Sequence, residues 1–89
     1  MVHGRVQGVG FRFHVLRAAD KLGLRGWVAN ESDGAVRCVA EGPPDDLTRL
    51  LAELRAGPAG AQVDRVDESW GPATGEYVRF SLRSGWHGG

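Results

Sequence analysis

The sequence predicts an α/β fold of the α+β kind: an antiparallel sheet with two helices packed on one of its faces. Two stretches carry apolar residues at the helical period, and the stretches around them read as strands. Turn signals fall between them: Gly42-Pro43-Pro44 and Gly57-Pro58 bracket the second helical stretch, and Asp33-Gly34 separates two strand-like runs.

Residues 2–6 (VHGRV) open as a short strand. From Phe11 the period changes: Phe11, Val15, Ala18, Ala19 and Leu22 fall at i, i+4, i+7, i+8 and i+11, one face of a helix. Gly23 supplies its stop. LRGWVAN (24–30) and AVRCVAE (35–41) are the next two strands, joined by ESDG as a hairpin turn, with Val36, Cys38 and Ala40 on one face. Pro43 and Pro44 open a second helix, where a missing N–H costs little, and Asp45 and Asp46 set negative charge against its positive end. Leu47, Leu50, Leu51 and Leu54 form its buried stripe. A strand is expected over 61–70, and EYVRFSLR alternates with Val78, Phe80 and Leu82 on one side. The order is β-α-β-β-α-β with room for one extra strand, the split βαβ or ferredoxin-like pattern.

The 89 residues make one domain, expected over 1–83, with a loose tail at 84–89. Eleven basic residues balance eleven acidic ones, which weighs against a nucleic-acid partner whose grip would rest on phosphate neutralisation. One cysteine excludes an internal disulfide and a Cys-rich zinc site. No stretch approaches the roughly 18 apolar residues of a membrane span, and no signal-peptide pattern opens the chain. A cytoplasmic monomer without a cofactor is the expectation.

The chemistry concentrates in GRVQGVGFR, residues 4–12. Gly8 and Gly10 lie between a strand and a helix N-terminus, with Arg12 in the first turn. Glycines let an anion approach backbone N–H groups, the helix end adds unpaired donors and partial positive charge, and Arg12 offers a planar fork. Gln7, Gly8, Val9, Gly10, Phe11 and Arg12 are thus a candidate cradle for a small dianion. The same glycines also suit a tight strand-to-helix turn. The segment is no nucleotide loop: G-x-x-x-x-G-K-[ST] is absent, and Phe13 stands where G-x-G-x-x-G needs its last glycine.

Right-handed connections run the first two strands the same way with the third between them. Asn30 then ends the second strand at the sheet edge where the cradle begins, two strand spacings or roughly 10 Å away. Its amide both donates and accepts, so it can orient a water without acting as a base, or simply start the ESDG turn.

GRVQGVGFR, followed by LGLRGWVAN, SDG, AEG and GP-x-x-A-x-V, resembles the acylphosphatase family over residues 3 to 66, in order and at the right spacing. The resemblance implies that Arg12 binds the substrate phosphate and that Asn30 positions the attacking water. It implies hydrolysis of an acyl phosphate to a carboxylate and inorganic phosphate. One departure accompanies it: members of that family carry several strand residues ahead of the GRVQG block, whereas here Met1 stands two residues before His3. The first strand, expected to be central, is short.

Other residues read more plainly. His3 is a strand residue, His14 lies off the Phe11–Leu22 stripe on a solvated face, and His87 belongs to the tail; the three lack metal-ligand spacing, and no metal is expected. Cys38 reads as a small core residue, Trp27 as core or site rim, Glu31 and Asp33 as turn residues, and Arg17, Arg49 and Arg55 as solvated. A carbamoyl-phosphate hydrolysing domain, as in the hydrogenase-maturation carbamoyltransferases, is a second enzyme reading, but their downstream zinc-finger motifs are missing. An RNA-binding module shares the fold, but AVRCVAE carries none of the aromatic residues an RNA-reading strand needs.

Overall fold

The computed structural model describes residues 1–84, so most of the expected tail lies outside the described residues. The elements are β1 (Val2–Arg5), α1 (Phe11–Leu22), β2 (Arg25–Asn30), β3 (Val36–Glu41), α2 (Pro44–Ala56), β4 (Gln62–Val66) and β5 (Phe80–Leu82). They form one sheet in the order β4-β1-β3-β2-β5. As expected, β3 lies between β1 and β2 and is antiparallel to both. The sheet is nevertheless mixed, because β5 joins its far edge parallel to β2.

Apolar side chains meet between the helices and the sheet. Phe11, Val2, Val6, Val15, Val28 and Val36 are fully enclosed, with Leu50, Leu54 and Phe80 packed around them. At roughly 1.5–3 kcal/mol for each large side chain removed from water, this cluster is the main favourable contribution to the fold.

Two strand boundaries and the burial of Cys38 differ from the sequence reading, each because a strand needs a neighbour. β4 stops at Val66 rather than residue 70, since β1 pairs it only from Val2 and Met1 adds one more exchange of main-chain bonds with Asp67. β5 starts at Phe80, where β2 first flanks it at Gly26, so Val78 is 87% exposed instead of sharing the Phe80 side. Cys38 is half-buried rather than in the core, because β1 meets β3 only at Val2↔Val36 and leaves Cys38 uncovered on that side.

The long β4–β5 connection is strapped across the open face of the sheet by Glu41. Its carboxylate accepts from the Thr74 and Gly75 N–H groups and from the Thr74 hydroxyl. The Thr74 main-chain hydrogen bond, foremost among these, holds the Glu41 carboxyl below its ordinary range.

Candidate active site

β1 ends in a loop whose backbone changes hand at each step. Gly8 has φ 77° and Gly10 φ 76°, while among the described residues no non-glycine residue has positive φ. Left-handed glycines therefore alternate with Gln7, Val9 and Phe11. Such alternation turns successive N–H groups toward a common concavity, the arrangement that receives anions. A Cβ on either glycine would meet nothing within 4 Å, so backbone conformation rather than crowding calls for glycine here.

The loop delivers the chain directly into α1. Gly10 is its N-cap, without a side-chain cap and without an acidic residue in the first turn. The first N–H groups of α1 thus keep their donor capacity, at the positive end of the helix dipole. Gln7 braces the loop from behind: its Nε2 donates to the carbonyls of Glu31 at 2.7 Å and Ala35 at 3.0 Å. The Gln7 side chain is spent on that brace, which ties the loop to the β2–β3 turn.

Arg12 and Asn30 come to the same end of the sheet. Arg12 Nη1 donates to the Arg83 carbonyl at 2.8 Å, and the Arg83 N–H donates to Val28 O at 2.9 Å. Arg12 therefore reaches the strand beside β2, two residues short of Asn30. One of its five N–H donors is used there. Asn30 is half-buried and, at even spacing from Val28, lies on the helix-covered face of β2. The ends of β1 and β2 are not level, however. Val2 and Asn30 both pair with Val36, so β1 overshoots β2 by three residues and the loop lies ahead of Asn30 as well as beside it.

The sequence model of the acylphosphatase family matches residues 1–82. The chain belongs to the acylphosphatase family. It is 48% identical to an acylphosphatase of Salinibacter ruber over 82 residues, which cover 92% of this chain and 86% of that protein. The crystal structure of acylphosphatase from Bacillus subtilis matches with a TM-score of 0.89 at 39% identity, covering 92% of this chain and 91% of that one. Full-length HypF in its phosphate- and nucleotide-bound form matches with a TM-score of 0.86 at 29% identity, over 94% of this chain but only 11% of HypF. Acylphosphatases are hydrolases, and this chain is one of them by family and fold.

Within this acylphosphatase fold the side chains of the remaining sequence candidates hydrogen-bond to or pack against partners other than the loop backbone. His3 Nε2 meets Asp67 Oδ2 at 3.0 Å on the β1–β4 side. His14 is not on a solvated face: half-buried between α1 and α2, it lies edge-on to Phe11 and 3.4 Å from Glu53 Oε1. Three residues beyond Phe11, it flanks the buried stripe closely enough for α2 to cover it. Trp27 lies half-buried on the open face, where its Nε1 donates to Tyr77 Oη at 3.4 Å and the Arg83 guanidinium stacks 4.4 Å over its ring. Asp33 accepts from Ala35 N–H and Glu31 pairs with Arg37, as turn residues would. His87 lies outside the described residues. The sequence reading missed Arg83, whose contribution is a main-chain carbonyl that any residue type could supply. Only its placement at the end of a terminal strand carried a hint.

Proposed function

We propose that this acylphosphatase hydrolyses small acyl phosphates, with the Gln7–Phe11 backbone and Arg12 holding the phosphoryl group and Asn30 orienting the attacking water. The observation that carries the reading is the alternating-sign glycine loop at an uncapped, acid-free helix N-terminus, with the Arg12 fork beside the end of β2. Water attacks phosphorus, the bond from phosphorus to the acyl oxygen breaks, and the bonding pair leaves with the carboxylate. The water's proton ends on the phosphate product. A leaving carboxylate has a pKa of about 4 and needs no general acid. Positioning and charge stabilisation then supply most of the rate enhancement.

The acylphosphatase-like domain spans residues 1–83 and works as a cytoplasmic monomer, without metal or nucleic acid. Phosphate release from acetyl phosphate, set against release from an ordinary phosphate monoester, tests the mechanism. The acyl phosphate is turned over and the monoester barely so, because no residue of the cradle protonates an alkoxide. Equal rates on both would overturn the scheme. A chelator leaves the rate unchanged, and a loss restored by a metal ion would contradict the metal-free chemistry.

A further inference from the structure

The carbonyl that holds Arg12 stands at a weak place in the sheet. β5 is three residues long, lies at the sheet edge and pairs with β2 alone. Arg83 is one residue past its end. Main-chain pairing at the end of a short edge strand opens at little cost, so the position of the Arg83 carbonyl depends on what else fixes residue 83. One tie is the main-chain bond from the Arg83 N–H to Val28 O at 2.9 Å.

The side chain supplies a second tie. In the parallel β2–β5 ladder Trp27 pairs with Ser81 and Val28 with Leu82. Phe80 is buried toward the helices, so alternation sets Ser81 and Arg83 on the open face with Trp27. Ser81 is small, which lets the long Arg83 side chain fold back over the indole. Its guanidinium carbon stacks 4.4 Å from the ring centroid. The indole is fixed in turn, because its Nε1 donates to Tyr77 Oη at 3.4 Å. Tyr77 comes from the β4–β5 connection, which Glu41 fastens through the Thr74 and Gly75 N–H groups.

Any residue at position 83 offers Arg12 a carbonyl. The arginine side chain decides how firmly that carbonyl stands. A cation over an aromatic face at a partly exposed site shifts an equilibrium by roughly 2- to 5-fold.

We propose that Trp27 is a positioning residue: its ring anchors Arg83, and the anchored Arg83 carbonyl orients the Arg12 fork for the phosphoryl group. The proposal rests on the reading of Arg12 as the phosphate-binding residue. The donors of Arg12 that Arg83 leaves unused then meet the phosphoryl oxygens already aligned. A loosened fork weakens ground state and transition state alike, which raises KM without lowering kcat.

The test breaks the stack from each side in the full chain, with Arg83→Leu and Trp27→Leu. Arg83 is exposed, so Arg83→Leu leaves the core untouched whatever Trp27→Leu does to folding. In both variants KM for acetyl phosphate and the phosphate inhibition constant rise together by about 3- to 5-fold, with kcat held. Rotation of the Arg12 guanidinium about its Nε–Cζ bond, followed by NMR, quickens by a similar factor. Arg83→Lys and Trp27→Phe keep a cation over a ring and stay within about 2-fold of the parent protein. In an Arg12→Lys background neither leucine variant weakens phosphate inhibition further, because the fork they orient is gone. Unchanged Arg12 rotation in Arg83→Leu would overturn the proposal. So would an equal loss of phosphate affinity in the Arg12→Lys background, the mark of a general structural effect. Faster rotation with phosphate inhibition unchanged would instead remove Arg12 from the phosphate site and leave the anchor standing.

Discussion

At Gly10 a strand hands the chain to α1, and at Pro43 another hands it to α2, yet the two junctions carry opposite electrostatics. The first reaches its helix through two left-handed glycines, with no side-chain cap and no acid in the first turn. The second has Pro43 as N-cap, Pro44 as the first helical residue, and Asp45 and Asp46 in the first turn. Proline removes donors, and the carboxylates neutralise the positive end of the dipole. The α2 start is arranged for helix stability alone. The α1 start forgoes that stabilisation and keeps its donors unspent. The contrast is what assigns the proposed phosphate site to one of two equivalent positions in a split βαβ fold.

The largest effects come from the side chains that distinguish the α1 junction. Arg12→Lys keeps the charge and loses the fork, so kcat/KM falls by roughly 10³ and inhibition by inorganic phosphate weakens with it. Asn30→Ala leaves the cradle whole and lowers kcat by roughly 10²–10³, with phosphate inhibition unchanged. Asn30→Asp also weakens phosphate inhibition, because it sets a negative charge beside a dianion. Steady-state kinetics with phosphate inhibition constants separate the roles. If Asn30→Ala kept full turnover, Asn30 would be a turn residue only. If it lost phosphate affinity as Arg12→Lys does, it would belong to the cradle.

Making the α1 junction resemble the α2 junction is a gentler perturbation. Phe13 lies in the first turn of α1 and is 57% exposed, so Phe13→Asp disturbs little packing. The new carboxylate competes for the first N–H groups of the helix. Phosphate inhibition weakens by about 10-fold while folding stability rises by about 0.5 kcal/mol. The two changes have opposite signs, which a general loss of structure would not give. A variant that gained stability and kept its phosphate affinity would remove the α1 terminus from the site.

Much of this contrast is legible in the residues themselves. Gly8, Gly10, Pro43, Pro44, Asp45 and Asp46 each constrain the backbone or carry charge locally, so both junctions can be located without a structure. The helices are legible for a similar reason: Phe11, Val15 and Ala19 repeat on one face and all three are buried. What escapes the sequence depends on distant partners. The end of β4 and the start of β5 are set by where β1 and β2 flank them, not by the alternation of Val78 and Phe80. Cys38 sits on the apolar side of its strand yet lines a cavity, because coverage by β1 ends two residues short of it. Burial of the sulfur still pushes its thiol up to about 12. The brace from Gln7 and the Arg12–Arg83 contact end on main-chain carbonyls, which leave no mark in residue type.

The smallest expected effect is at α2. Asp45 is exposed, and Asp46 approaches Arg49 at a loose 3.5 Å, so neutralising either removes little besides its interaction with the helix end. Asp45→Asn and Asp46→Asn should each cost about 0.3–1 kcal/mol at low salt. The thermal midpoint then drops by a few degrees, and the loss fades in roughly 1 M salt as the field is screened. Kinetics stay unchanged, because these residues open the other helix. The double variant puts the comparison under its strictest test. With both carboxylates gone, α2 presents a bare positive helix end, and if charge alone made an anion site, phosphate would now protect it from amide exchange as it is expected to protect α1. We expect no protection at α2: Pro43 and Pro44 offer no N–H, and no alternating glycine loop precedes them. Protection there would show that the glycine loop contributes nothing beyond the helix terminus it precedes.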